Sequence, residues 1–298
     1  MAEVDFTDLI ASSRPRRKLT KIGTFILIGF LLLIWSVLSE QDQLIPLLLS
    51  LAILIVLGIS TVRSVKQRKG LAKWSRQASD LCVQEKWSQA VEPLRRLLGK
   101  PVPLAQIRYQ GLLELAGVAE HTGQLDGARE IYEAIAQEQP KGLLGSLALV
   151  GKAIVLLKLD QLADADAIIR RLEVSVEVRS IKTLVLLARL YQQIKTGHYG
   201  DALTEKSSKC ELARIGMSSK AAYVYALLGL ACRRLEMSVS DDQKTDKDSG
   251  TSSSEAEVFW QRATMLLGPD VLVEKFPELI DLKEAYASAP ALPGTSQS

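Results

Sequence analysis

Cys82, Cys210 and Cys232 are the three thiols of this 298-residue chain, and His121 and His198 are its two imidazoles. A structural metal site needs such groups in close pairs, Cys-x-x-Cys or two histidines three to five residues apart, so that one turn presents two ligands. None of the five has such a neighbour. The cysteines are therefore expected as small buried apolar residues of a reducing compartment. The histidines, in His-Thr-Gly and Gly-His-Tyr, are expected beside turns, with His121 also a ligand-contact candidate. Phosphate-cradling glycine motifs and a G-x-S-x-G elbow are absent from the sequence. Glu211 and the pair Asp164/Asp166 lie on amphipathic stretches and read as solvated faces. No catalytic group, metal site or cofactor is nominated, and the chain is not expected to be an enzyme.

Charge and hydropathy say more. Residues 1–70 hold nine Lys/Arg and five Asp/Glu, a balance of +4, whereas the remaining 228 hold 28 and 29, a balance of −1. A nucleic-acid binder would carry its basic excess on the folded domain, so no nucleic-acid partner is expected. Two uncharged apolar stretches, 22–38 and 44–62, are 17 and 19 residues long and are separated only by Ser39–Gln43. Lengths near these span a hydrocarbon core as helix, and helix satisfies its own backbone groups there. So short a connection makes the pair a transmembrane hairpin. Arg14, Arg16, Arg17, Lys18 and Lys21 precede it, and Arg63, Lys66, Arg68 and Lys69 follow it. The loop carries Glu40 and Asp42 and no cation. The positive-inside rule then places both termini in the cytoplasm, on a two-span protein of the bacterial inner or cytoplasmic membrane. The bilayer is thus an expected partner. No charge lies within either stretch, which speaks against an ion path.

These readings divide the chain into a basic segment 1–21, the hairpin 22–62, a basic juxtamembrane linker 63–70 and an all-α region 71–287. Residues 236–254 are Ser- and Asp-rich with few apolar groups, and are expected as a disordered insertion; 288–298 are expected as a disordered tail.

Within 71–287, Ala90, Ala128, Ala165 and Ala202 recur at intervals of 38, 37 and 37. The segment with Leu115, Ala116, Ala119, Gly123, Leu125, Ala128, Tyr132 and Pro140 resembles the tetratricopeptide repeat, most clearly over 109–142. The resemblance implies an α-solenoid of helix pairs. Small residues would sit at the crossings, and a concave face lined by first helices would bind a protein or peptide. Intervals above the family's 34 imply longer turns, and a related solenoid of helical pairs is the structural alternative. On the family's pattern, groove positions fall at Gln110, Leu113, Gly117, Glu120 and His121, then Leu147, Val150, Ile154 and Lys158, then Lys182, Val185, Arg189 and Gln192. Such a mixture suits a peptide with apolar anchors and some acidic character. The chain contains no asparagine, so the family's carboxylate clamp for chaperone tails has no means of forming in its usual form.

The arrangement also resembles, in architecture alone, bacterial inner-membrane repeat proteins of the HemY family. The expected function is a membrane-anchored scaffold or adaptor without catalysis or a small-molecule substrate. Its alternative is a non-catalytic accessory subunit of a membrane enzyme or transport complex, with the hairpin making the main contacts.

Overall fold

A computed structural model describes residues 5–15, 34, 65–66, 69–242 and 254–286 of the protein. Among the described residues every regular element is a helix. The chain forms two compact units, 1–134 and 135–298.

Unit 1 contains α1 (Phe6–Ser12), α2 (69–83), α3 (Trp87–Leu98), α4 (Ala105–His121) and most of α5 (Leu125–Glu138), the boundary falling inside α5. Helix α3 packs on α4. Ala78 on α2, Ala90, Leu94, Leu97 and Leu98 on α3, Leu112 and Ala116 on α4, and Ala128 and Ile131 on α5 are fully buried.

Unit 2 contains α6 (Leu143–Lys158), α7 (Leu162–Ser175), α8 (Arg179–Lys195), α9 (Tyr199–Leu203) and α10 (Lys206–Met217). It continues with α11 (Ala221–Asp242), α12 (Glu255–Leu266), α13 (Pro269–Lys275) and α14 (Ile280–Tyr286). Within this unit α6 pairs with α7, α8 with α9 and α10, and α11 with α12; the first helices α6, α8 and α11 contact one another in succession. No single pair encloses its apolar face, and each buries it on the next. Helices α13 and α14 close the last pair, with Leu272, Phe276, Leu279 and Leu282 fully buried.

One local geometry recurs in both units. The residues that join α2 to α3, α4 to α5, α6 to α7 and α8 to α9 place Glu85, Gly123, Asp160 and Gly197 in the left-handed region, at φ 58, 74, 57 and 75°. The amide after each reaches back five residues: Lys86 to Leu81, Gln124 to Ala119, Gln161 to Leu156 and His198 to Gln193, at 2.8–2.9 Å. The left-handed residue itself donates to the carbonyl three before it, as in Asp160 to Leu157 at 3.2 Å. These paired bonds satisfy carbonyls that a helix end leaves open. The next helix then starts at once, its first bond running from Ala90, Ala128, Ala165 and Ala202 to Lys86, Gln124, Gln161 and His198. All four alanines have 0% exposure.

The fourth pair departs from this plan. Its second helix breaks at Thr204–Glu205, where Glu205 is left-handed at φ 52°, and resumes as α10. Lys209 Nζ donates to the carbonyls of Asp201 (3.1 Å), which also accepts from the Thr204 amide (3.3 Å), and Ala202 (2.8 Å).

Apart from Ile34, which is helical, the stretches 22–38 and 44–62 lie outside the described residues, as do Arg16, Arg17, Lys18, Lys21, Arg63, Arg68 and the tail 288–298. Arg14, Lys66 and Lys69 are described and exposed. One described helical stretch, Lys206–Ser238, is long and apolar enough to cross a membrane, but 67% of its apolar window is buried within the protein. Here it is the core helix around which unit 2 packs. Helix α11 also runs on to Asp242, inside the stretch 236–254 expected to be irregular. A helix already nucleated by a buried face extends at one hydrogen bond per added residue, which outweighs weak local propensity. At the far end Ser254 caps α12, accepting from the Glu257 amide at 3.3 Å, and its hydroxyl meets Tyr286 Oη at 3.0 Å.

Candidate functional site

The most selectively built surface in unit 1 is the one that holds α1. Asp5 caps this seven-residue helix, its carboxylate accepting from the Asp8 amide at 3.0 Å. Phe6, Leu9, Ile10 and Ser13 fall at i, i+3, i+4 and i+7 and so share one face. Leu9, Ile10 and Ser13 are buried, whereas Thr7, Asp8 and Ala11 are exposed. The face lies on α3, α4 and α5. The Phe6 ring fills the space where a side chain on Gly127 would stand, 2.4 Å from the position of a Cβ there. Glycine inside a helix costs roughly 1 kcal/mol against alanine, and at residue 127 this opens the slot for the ring.

Polar contacts fix the other end of α1. Ser12 Oγ donates to the Leu98 carbonyl at 2.9 Å, and the Val102 amide donates to the Ser13 carbonyl at 3.2 Å. Arg108, a guanidinium only 1% exposed, donates through Nε to Ser13 Oγ at 3.0 Å and through Nη2 to the Ile10 carbonyl at 3.4 Å. Arg108 therefore reads the C-terminal end of a helix, where the carbonyl dipoles favour a cation. Ordering seven residues costs about 10 kcal/mol. Three apolar side chains return about 6 and four hydrogen bonds about 4. Gain and cost are thus of the same size.

Sequence reasoning assigned 1–21 as a basic segment and passed over this helix. Its signal was present in Asp5 as a cap before Phe6, Leu9 and Ile10. A run of seven residues, however, is too short for periodicity to announce it.

The expected groove residues lie in both units, and most are engaged within their own. On α4, Gln110 donates to Glu114 at 3.1 Å, and Leu113 and Gly117 are half-buried. Glu120 is 9% exposed and accepts from Tyr132 Oη at 2.7 Å; burial and this carboxylate hold the Tyr132 phenol protonated, its pKa pushed well upward. His121 stacks on Trp87 with ring centroids 3.9 Å apart. The Glu120 contact joins α4 to α5 and the His121 contact joins α4 to α3, while the Gln110 bond stays on the exposed side of α4. In unit 2, Val150, Ile154 and Val185 are buried core residues, Leu147 and Lys158 are half-buried, and Lys182 is exposed. Arg189 joins α8 to α7, gripping Glu173 with Nε and Nη2 at 2.8 and 2.7 Å and meeting Asp166 through Nη1 at 2.8 Å. Gln192 donates to the same Asp166 oxygen at 2.8 Å. Bonds from Gln192, Arg189 and Arg170 hold the Asp166 carboxyl below its ordinary range, and Glu173 above all raises the pKa of Arg189.

Several other polar groups are engaged in packing. Lys195 bridges Asp160 (2.5 Å) and Glu278 (3.2 Å), and Tyr191 Oη donates to Glu278 at 3.1 Å. Burial pushes the Cys82 and Cys232 thiols up to about 11, so both stay protonated and poorly nucleophilic at neutral pH. Among the described residues no group of three His, Cys, Asp or Glu is placed to hold a metal ion.

Compared with known proteins, the chain matches no family model, no curated protein and no solved structure.

Proposed function

We propose that the chain is a membrane-anchored scaffold. A hairpin of 22–38 and 44–62 tethers a cytoplasmic array of tetratricopeptide-like helix pairs, and the array recruits a protein or peptide without catalysis of its own. The observation that carries this reading is the fourfold recurrence of one helix–turn–helix geometry, with buried alanines at intervals of 38, 37 and 37. Repeated pairs of this kind serve as extended interaction surfaces. Tethering such a surface raises the effective concentration of whatever it binds beside the bilayer.

Support for two crossings comes from α1. Its residues touch Leu98, Val102, Arg108 and Gly127, so both lie on one side of any bilayer. On this reading the chain crosses the membrane an even number of times between residues 15 and 69. Two apolar stretches joined by an acidic loop, with basic flanks, fit two crossings and a cytoplasmic domain.

The test is affinity capture from native membranes with the full chain and with residues 1–70 fused to a reporter. The scaffold reading expects partners with the full chain that the 1–70 fusion does not bring down. If residues 1–70 alone retain the same partners, the accessory-subunit reading replaces it.

A further inference from the structure

Helix α1 sits on unit 1 as a ligand sits on a receptor. It is separated by 53 residues, 16–68, from the rest of the unit, it presents one face only, and it is too short to persist as a helix in water on its own. Its contacts follow the i, i+3, i+4, i+7 pattern by which grooves recognise amphipathic helices. The receiving side matches this face: Gly127 leaves a slot for an aromatic ring, and buried Arg108 faces a carbonyl and a hydroxyl near the helix end. Leu98 O and the Val102 amide add a backbone acceptor and a backbone donor.

We propose that this cradle on α3, α4 and α5 is a binding site for a short amphipathic helix, and that α1 is its resident occupant in cis. The partner it fits is a helix with an aromatic residue at the first position, aliphatic residues three and four later, and a small hydroxyl residue seven later. Phe6, Leu9, Ile10 and Ser13 are the internal copy of that pattern. With α1 seated the site is closed. A partner helix enters by taking its place, and the released α1 loses its helical order. The proposal does not depend on the membrane anchor, because every contact it uses lies within unit 1.

The experiment uses the full chain in detergent micelles and a fluorescent peptide of residues 3–15, with binding read by anisotropy. A chain lacking residues 2–13 is expected to bind the peptide saturably and at least tenfold more tightly than the intact chain. The Phe6→Ala chain, whose α1 is loosely seated, is expected to fall between them. Phe6→Ala in the peptide, or Gly127→Leu in the shortened chain, is expected to weaken binding tenfold or more while helical content by circular dichroism stays unchanged.

The proposal is overturned if the shortened chain keeps its helical content and does not bind, or if it and the intact chain bind equally. It is overturned too if the deletion abolishes the fold, because α1 would then be core and not ligand. An intact chain that forms dimers dissolved by the peptide would overturn occupancy in cis.

Discussion

Glu114 shows how a single residue of this fold is set by its surroundings. It lies on α4, half-buried, and burial raises its carboxyl pKa despite hydrogen bonds from Gln110 and Ser79. The folded state thus holds this proton to higher pH than the unfolded chain does, and the ionised carboxylate opposes folding. Stability from this site is present below the unfolded carboxylate pKa of about 4.3 and falls as pH rises through the folded value. Glu114→Gln is therefore expected to raise the thermal midpoint at pH 7, with the gain over the parent shrinking toward zero as pH falls to about 4. Melting curves at stepped pH check this, and a gain that is constant with pH would contradict it. Glu114 also helps to raise the Cys82 pKa; of the three thiols expected to be buried, Cys232 is, whereas Cys82 and Cys210 are half-buried. The same scale shows what composition hides: Glu120, Arg189 and Gln192 are polar residues on first helices, yet each is bound to a neighbouring helix of its own unit. Periodicity places a residue on a face but does not say which side chain opposes it.

At the scale of the element, the four turns are copies of one design executed with two kinds of residue. Gly123 and Gly197 take the left-handed position freely, whereas Glu85 and Asp160 hold it against the clash of their Cβ. Glu85→Gly is expected to stabilise the chain by roughly 0.5–1 kcal/mol, the relief of that clash exceeding the added freedom of the unfolded chain. Gly123→Val is expected to cost about 1–3 kcal/mol, since a β-branched residue is strained there. Denaturant unfolding of the two variants checks both, and shifts of the same sign, or a loss for Glu85→Gly with a gain for Gly123→Val, would contradict the assignment of these turns. The recurrence of the turn was legible because a buried alanine follows each turn at nearly the same interval in sequence. The break between α9 and α10 was not, since Thr204 and Glu205 carry no breaker signal and the bend is held by Lys209 from beyond it. Nor was the helical run of α11 past Glu236, which follows from a face already buried upstream.

Taken as a whole molecule, the chain couples a net charge of +4 on its first 70 residues to helix pairs that are nearly neutral. On the proposed reading that charge fixes the threading of a hairpin, and the docking of α1 ties both flanks of the hairpin to one helical unit. Three positions test this arrangement together in a cysteine-free background: Ala11 and Val83, both exposed and the latter 81% so, and Gln41 in the loop of the proposed hairpin. Single cysteines at each are labelled in sealed membrane vesicles of known orientation with a membrane-impermeant maleimide. The account predicts that Ala11→Cys and Val83→Cys react from the cytoplasmic side and Gln41→Cys from the opposite side. Labelling of all three from one side, or of Ala11→Cys and Val83→Cys from different sides, would contradict it.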